Sequence, residues 1–410
     1  MDYTEKNKQT LINYLQAGCK GGDMGSVGVE LEHFIVDEDG DAVPYSGFRG
    51  RPGVKDILER MTEFYPQVTR SDEGDILGCA RPSAAITIEP AAQIELSIAP
   101  MLSIREVKEE YQNFTFRLNQ ILKEFDYSVQ TCGYSPATKA ADMQLIPKKR
   151  YELMDEYMGA LPSMHPEQMM RATASLQVSI DFADEQDAIR KMRIASLLGP
   201  ILSFIADNCP VYEGKPNTNN LCRMNVWRNV DPARCGVVPH LFDENFGFES
   251  YVDWMLNTPP IFITHDGIQA TGSKIAAEVY GSFEMTTQDV EHLLSMFWPD
   301  VRLKQYVEIR VADALPLEPA LGYLALVKGL FYGPVSLEML EHALGLDSSN
   351  CVYNDASVEE AIEEITKNGF EANVYGRSMN DWIDLLFRIA PEGLGTEYSY
   401  LEDLKEFKGI

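Results

Sequence analysis

Four stretches of the chain alternate apolar and polar residues with a period of two, the signature of strands with one face in a core. In SVGVELEHFIV (26–36), Glu30 and Glu32 share one face while Val29, Leu31 and His33 take the other. AITIEPAAQIELSIA (85–99) sets Glu89, Gln93 and Glu95 against Ile86, Ile88, Ile94, Leu96 and Ile98, with a bend or bulge expected at Pro90. RATASLQVSIDF (171–182) sets Thr173, Ser175, Gln177, Ser179 and Asp181 against Leu176, Val178, Ile180 and Phe182. RLKQYVEIRVA (302–312) sets Tyr306, Glu308 and Arg310 against Val307, Ile309 and Val311.

Between these strands the spacing predicts helices. They fall at 4–17, at 54–65, at 103–125 with a Ser103/Glu106 capping box, at 185–207 ending before Pro210, and at 287–297. The segment 212–236 reads as loop-rich, and 316–410 as mainly helical. Glycines 18, 21, 22, 25 and 28 leave a helix and enter a strand, the reverse of the order in phosphate-binding glycine loops, so they read as a connection. The resulting class is α+β: a mainly antiparallel sheet with helices packed on its aliphatic face and one polar face free for chemistry. Residues 1–410 read as a single catalytic unit, with 316–410 its helical C-terminal part.

Composition narrows the partners. Lys and Arg total 35 against 63 Asp and Glu, and a formal charge of -28 opposes binding to nucleic acid or to an anionic membrane. No apolar run of membrane-spanning length and no apolar N-terminal leader is present, which predicts a cytoplasmic protein off the membrane. Seven scattered cysteines without a C-x-x-C pair predict buried, reduced thiols.

The polar face, if the strands assemble, collects Glu30, Glu32, Glu89, Gln93, Glu95, Gln177, Glu308 and Arg310. A solvated acidic edge is the plain reading of any single E-x-E. Carboxylates this dense raise one another's pKa unless cations lie between them, and divalent metal beside an arginine suits phosphoryl transfer. The six histidines (33, 165, 240, 265, 292 and 342) share no metal spacing and read as structural or surface residues, His165 lying nearest a patterned block. Lys274, in a GSK turn, is a weaker phosphate candidate.

VGVELEHF, AAQIELSIAP, MMRATASLQVSIDF, RMNVWRNVDPARCG and HLLSMFWPDVRLKQYVEIRVAD occur in the order of the signature segments of the glutamate–cysteine ligases. Over about residues 20–340 the chain resembles their plant-type branch, also found in bacteria. The resemblance implies a glutamine-synthetase-like sheet and ATP and Mg2+ as cofactors. Its metal ligands would be Glu30, Glu32, Glu95, Gln177, Glu308 and, less firmly, Glu89. It places Arg310 on the transferred phosphoryl group, with Glu308 beside it in catalysis and Lys304 at the nucleotide, and Arg223 and Trp227 on the substrate glutamate. Two departures stand out: Leu31 replaces the histidine common in the plant enzymes, and Arg228 and Asn229 replace their Thr-Asp after the tryptophan. No cysteine pair matches the plant redox disulfides.

The implied reaction joins the γ-carboxylate of glutamate to the amine of cysteine through a γ-glutamyl phosphate, in a monomer or homodimer serving small-molecule substrates. A ligase of the same fold with another amine acceptor, or a non-catalytic Mg-nucleotide-binding homologue, stays open as an alternative. Substituting Gln for Glu30 or Glu308 is expected to abolish turnover without unfolding the chain.

Overall fold

The computed structural model describes residues 2–22, 24–162, 166–347 and 353–410. Its centre is a sheet of nine strands: β1 (Val27–Val36), β2 (Gln67–Arg70), β3 (Ile76–Arg81), β4 (Ala84–Ile88), β5 (Ile94–Met101), β6 (Ser128–Gln130), β7 (Ser175–Ile180), β8 (Val301–Leu303) and β9 (Val307–Asp313). Their order is β8-β9-β7-β1-β5-β4-β3-β2, with β6 also pairing β1, and every pairing is antiparallel.

Two of the patterned stretches are hairpins rather than single strands. The chain reverses at 89–93, so that Ile88 faces Ile94 and Glu89 sits on a turn instead of a strand face. Pro90 has no N–H for a ladder, Ala92 takes a positive φ of 73°, and the Gln93 amide locks the turn by donating to the carbonyls of Arg171 and Thr173. The stretch 302–312 likewise folds back through Lys304–Tyr306, pairing Arg302 with Glu308. Strands β2, β3 and β6, which carry no clear alternation, went unread; β2 is exposed along its whole length.

The apolar face is covered as the pattern requires. Helix Ile104–Lys123, with its Ser103/Glu106 capping box in place, buries Val107, Tyr111, Phe114 and Leu118. Helices Glu185–Ile205 and Leu317–Tyr332 complete the layer, and Leu401–Lys408 backs the latter. Beyond residue 316 the described residues are mainly helical, through Ser336–Leu344, Asp355–Asn368 and Met379–Ile389. No single described helix is long and apolar enough to cross a membrane.

The glycine-rich connection is pinned where it enters β1. The Asp181 carboxylate accepts from Gly25 N–H, Ser26 N–H and Ser26 Oγ, and Tyr332 Oη donates to the Ser26 carbonyl at 2.6 Å. Buried Lys191 donates to the Asp181 carbonyl at 2.8 Å and pairs with Asp187 at 2.9 Å. Gly18 is forced by proximity: a Cβ there would stand 2.6 Å from the Gln305 backbone.

His33, on the core face of β1, is fully buried. Its Nδ1 lies 3.1 Å from the Ile94 carbonyl, which only accepts, so Nδ1 carries the proton and Nε2 accepts from Tyr111 Oη at 2.8 Å. Burial lowers its pKa to about 4. A depressed histidine contributes stability that is present above its unfolded pKa of about 6.5 and is lost as pH falls through about 4, a total of roughly 3 kcal/mol. His33→Gln is therefore expected to flatten the pH dependence of unfolding free energy between pH 4 and 6.5 by about one proton. Equal slopes for the two proteins in denaturant titrations across that window would refute the assignment.

Candidate active site

Directly opposed residues of antiparallel strands share a face, so the registers lay out the polar face in rows. Thr87, Glu95 and Glu32 form the first row. Ala85, Ser97, Glu30 and Gln177 form the second. Gly28, Ser179, Glu308 and Arg302 form the third. Carboxylates dominate one end of this lattice and very small side chains the other.

A cavity of about 270 Å³ opens over the carboxylate end. Of the residues expected from sequence it brings together Glu30, Glu32, Glu89, Glu95, Gln177, Trp227 and Arg310. Its roof comes from segments off the sheet: Lys148, Arg150, Tyr151 and Met154 at helix Lys149–Gly159, Met169 and Met170 on Pro166–Ala172, and Trp227 on Cys222–Arg228.

Four carboxylates in one cavity strain one another. Burial, then the charges of Glu95 and Glu308, push Glu30 up to about 7. Burial also raises Glu32, although Arg223 and the Ser175 hydrogen bonds oppose it, and raises Glu95, with Glu32 adding to it. Glu89 rises well above the ordinary range through burial and Glu95. Glu32 is braced by Ser175 N–H and Oγ at 2.7 and 2.8 Å, and Glu95 by Thr87 and Ser97 at 2.7 and 3.0 Å. Among the described residues, Glu30 and Glu89 receive no such bond.

Glu308 behaves differently. It is fully buried with Arg302 Nε at 2.6 Å, Arg310 at 2.9 Å and Lys304 Nζ at 3.1 Å. Burial alone would raise its pKa, yet Arg302, Lys304 and Arg310 together hold it well below the usual carboxylate range. Arg310 also donates to the Gln177 carbonyl oxygen, and Gln177 donates to Glu32 at 3.2 Å. Glu308 and Gln177, both expected as metal ligands, are thus engaged with cations.

The donor chemistry fits a divalent cation, in a particular form. No three His, Cys, Asp or Glu side chains among the described residues stand close enough to cage a metal, so the expected six do not form one closed set. Mg2+ commonly takes one or two carboxylates and completes its octahedron with water and phosphate oxygens, and buried carboxylates raised in pKa without a protein partner supply that kind of ligand.

Hydrogen-bond donors are in surplus opposite them. Trp227 Nε1, Arg150 Nε and Arg223 Nε are buried without an acceptor. Arg223 does not line the main cavity; it stands behind it in a crevice with Trp227 and Arg310, donating to the Arg310 carbonyl at 3.1 Å. Lys148, Arg150 and Arg302 are cavity residues that alternation did not reveal. The first two lie off any patterned strand, and Arg302 is the middle residue of the short strand Val301–Leu303, set apart from β9 by a turn within the patterned stretch.

The two departures from the plant pattern lie off the cavity. Leu31 is buried on the core face, and Arg228 turns away to pair with Glu359. Lys274 is exposed and lines neither this cavity nor its neighbour, and His165 falls outside the described residues. The six described cysteines are free, all but Cys19 buried, and Cys351 falls outside the described residues.

Residues 26–401 match glutamate–cysteine ligase family 2. Glutamate–cysteine ligase B, chloroplastic, of Oryza sativa subsp. japonica is 31% identical over 395 residues, covering 90% of this chain and 78% of that protein. The chloroplastic glutamate–cysteine ligase of Medicago truncatula is 30% identical over 397 residues, covering 90% and 77%. Among solved structures, glutamate–cysteine ligase from Francisella tularensis in complex with AMP superposes with a TM-score of 0.51 at 14% identity, covering 95% of this chain and 82% of that one, which establishes a shared fold. The cytoplasmic expectation does not stand, because the plant relatives are named chloroplastic and point to a plastid.

Proposed function

The chain belongs to glutamate–cysteine ligase family 2, and on that footing we propose that it condenses glutamate and cysteine to γ-glutamylcysteine, converting ATP to ADP and phosphate. The observation that carries this reading is one cavity in which four carboxylates raised in pKa face buried, unpartnered donors, with Arg310 between them.

The glutamate γ-carboxylate attacks the γ-phosphorus of ATP, ADP leaves, and the cysteine amine then displaces phosphate from the acyl phosphate, losing a proton as the amide forms. A free carboxylate is a poor acylating group, so activation is the step that needs a protein. Arg150 and Trp227 line the cavity with donors to spare for the substrate carboxylates, Arg223 standing behind Trp227 and Arg310, and holding both reactants in line replaces a collision with a positioned encounter. Arg310, braced by Glu308 and Gln177, stabilises charge on the transferred phosphoryl oxygens, with Arg302 and Lys304 alongside. Glu30 and Glu89, the carboxylates without a protein partner, would offer ligands to Mg2+, which when bound neutralises repulsion between two anionic reactants. The whole of 1–410 acts in this reading as one catalytic unit.

The test is ADP release by purified protein with ATP, Mg2+ and glutamate, with and without cysteine, followed by product mass. Cysteine-dependent ADP formation with a γ-glutamylcysteine product is expected. Equal turnover with an amine other than cysteine would move the reading to a different acceptor, and nucleotide binding without turnover would reduce it to a silent homologue.

A further inference from the structure

The short helix Cys222–Arg228 has two working faces. Trp227 lines the carboxylate cavity and Arg223, one turn earlier, lines the crevice behind it, each with a buried donor free at Nε1 and Nε. Asn225 and Arg228 leave from the opposite side. They meet one stripe of the C-terminal helix Asp355–Asn368, formed by Glu359, Glu363 and Thr366 at spacings of four and three. The Arg228 side chain, 16% exposed, pairs with Glu359 and stands 3.7 Å from Glu363. Asn225 Nδ2 donates to Thr366 Oγ1 at 2.8 Å. Just ahead of the short helix, Asn220 Nδ2 donates to the Ile365 and Thr366 carbonyls, each at 3.3 Å. A helix of seven residues has no stability of its own, so its outside partners set where its other face points.

We propose that Glu359 and Thr366 are positioning residues for the substrate glutamate: from the rear of the site they hold the helix Cys222–Arg228 at the angle that presents Trp227, with Arg223 behind it, to the glutamate carboxylates. The inference rests on the ligase reading, and it gives the C-terminal helices a part in recognition besides backing the sheet. Neither residue lines the carboxylate cavity or the crevice, so each acts only through the helix it braces. Their influence falls on glutamate rather than on the nucleotide. Arg302, Lys304 and Arg310, the cations for the phosphates, stand on the sheet and are braced separately by Glu308.

The test is a charge swap, read by steady-state kinetics with glutamate and ATP varied in turn and by thermal melts. Glu359→Arg and Arg228→Glu each set like charges against one another, and the double variant restores an opposite pair. Each single variant is expected to raise the KM for glutamate roughly five- to twentyfold, the scale on which a slightly misplaced binding group acts, with the KM for ATP within about twofold. The double variant should return the KM for glutamate to within about threefold of native, because the two sites are coupled. Thr366→Val removes the acceptor for Asn225 while keeping its shape, and is expected to shift the same constant the same way by a smaller factor. Lowered melting temperatures with the KM for glutamate unchanged would make these contacts structural only, overturning the proposal while the ligase reading survives. A double variant no better than the singles, or equal shifts in both KM values, would overturn it as well. Should a single charge variant fail to fold by circular dichroism, the double variant and Thr366→Val decide. Native protein that forms no ADP with glutamate would bring down the ligase reading and this proposal with it.

Discussion

Arg310→Lys is expected to lower ADP formation by roughly two to three orders of magnitude with little loss of fold. Arg310 is only 9% exposed and its guanidinium spans Glu308 and the Gln177 carbonyl oxygen beside the Trp227 ring. A lysine preserves the charge but has a single ammonium where the planar fork made several bonds, so it cannot hold Gln177 and a phosphoryl oxygen together. Losing one preorganised donor aimed at developing charge costs about 10²–10³ in turnover. The deficit belongs in kcat, because the bond strengthens as charge moves onto the phosphoryl group. Steady-state kinetics and thermal melts of the two proteins check it; a kcat within about tenfold of native would remove Arg310 from the reacting end.

Glu308→Gln and Glu30→Gln are both expected to stop turnover while moving stability in opposite directions. The sequence alone predicts that neither disturbs the fold, and for Glu308 the structure revises that. Removing this carboxylate's charge leaves Arg302, Lys304 and Arg310 buried around a neutral amide, a loss of roughly 3–5 kcal/mol. Glu30 carries the reverse burden. Its pKa of about 7 lies above the unfolded value, so its contribution to stability is full below about pH 4.5 and is lost as pH rises through 7. Above that pH a metal-free Glu30→Gln protein should be more stable than native by up to roughly 2–3 kcal/mol. Denaturant unfolding at pH 8 in a chelator reads both, and the same sign for the two substitutions would defeat the electrostatic account. Carboxylates kept for chemistry at the expense of the fold are where stability and activity part.

What the sequence carried was local. β1 and β5 announce their faces by strict alternation, and Ser103 with Glu106 marks a helix start, because these signals depend on neighbours two to four residues apart. Glu89 was misplaced, since a proline in an alternating run suits a bulge as well as a reversal, and only the Gln93 anchor to 171–173 decides between them. The Lys304–Tyr306 turn has no glycine, proline or asparagine to betray it. Lys148 and Arg150 had no sequence signal, because their charges become functional only when distant segments roof the sheet, whereas Arg302 stood at the parity of Glu308 and Arg310 in the patterned stretch 302–312 and meets Glu308 through the turn. Trp227 and Arg223 stand out in the sequence as part of a cluster of arginines and a tryptophan, their substrate role comes only through the resemblance, and the loop-rich reading of 212–236 misses the short helix Cys222–Arg228 that holds them.

The bond from Tyr332 to Ser26 joins positions 306 residues apart, and β9 comes from similarly far along the chain to pair with β7, the neighbour of β1. On the ribosome the first strand is therefore made long before the group that fixes its start and before the strand that covers the far edge of β7. Domains tend to form as they emerge, but here a nascent chain carries an unpaired edge on β7 until residues 307–313 have been made, a window in which that edge is open to pairing with a neighbouring chain. Mutations that slow docking at Tyr332 would surface first as poor yield in cells, and only later, if at all, as slow turnover in the purified enzyme.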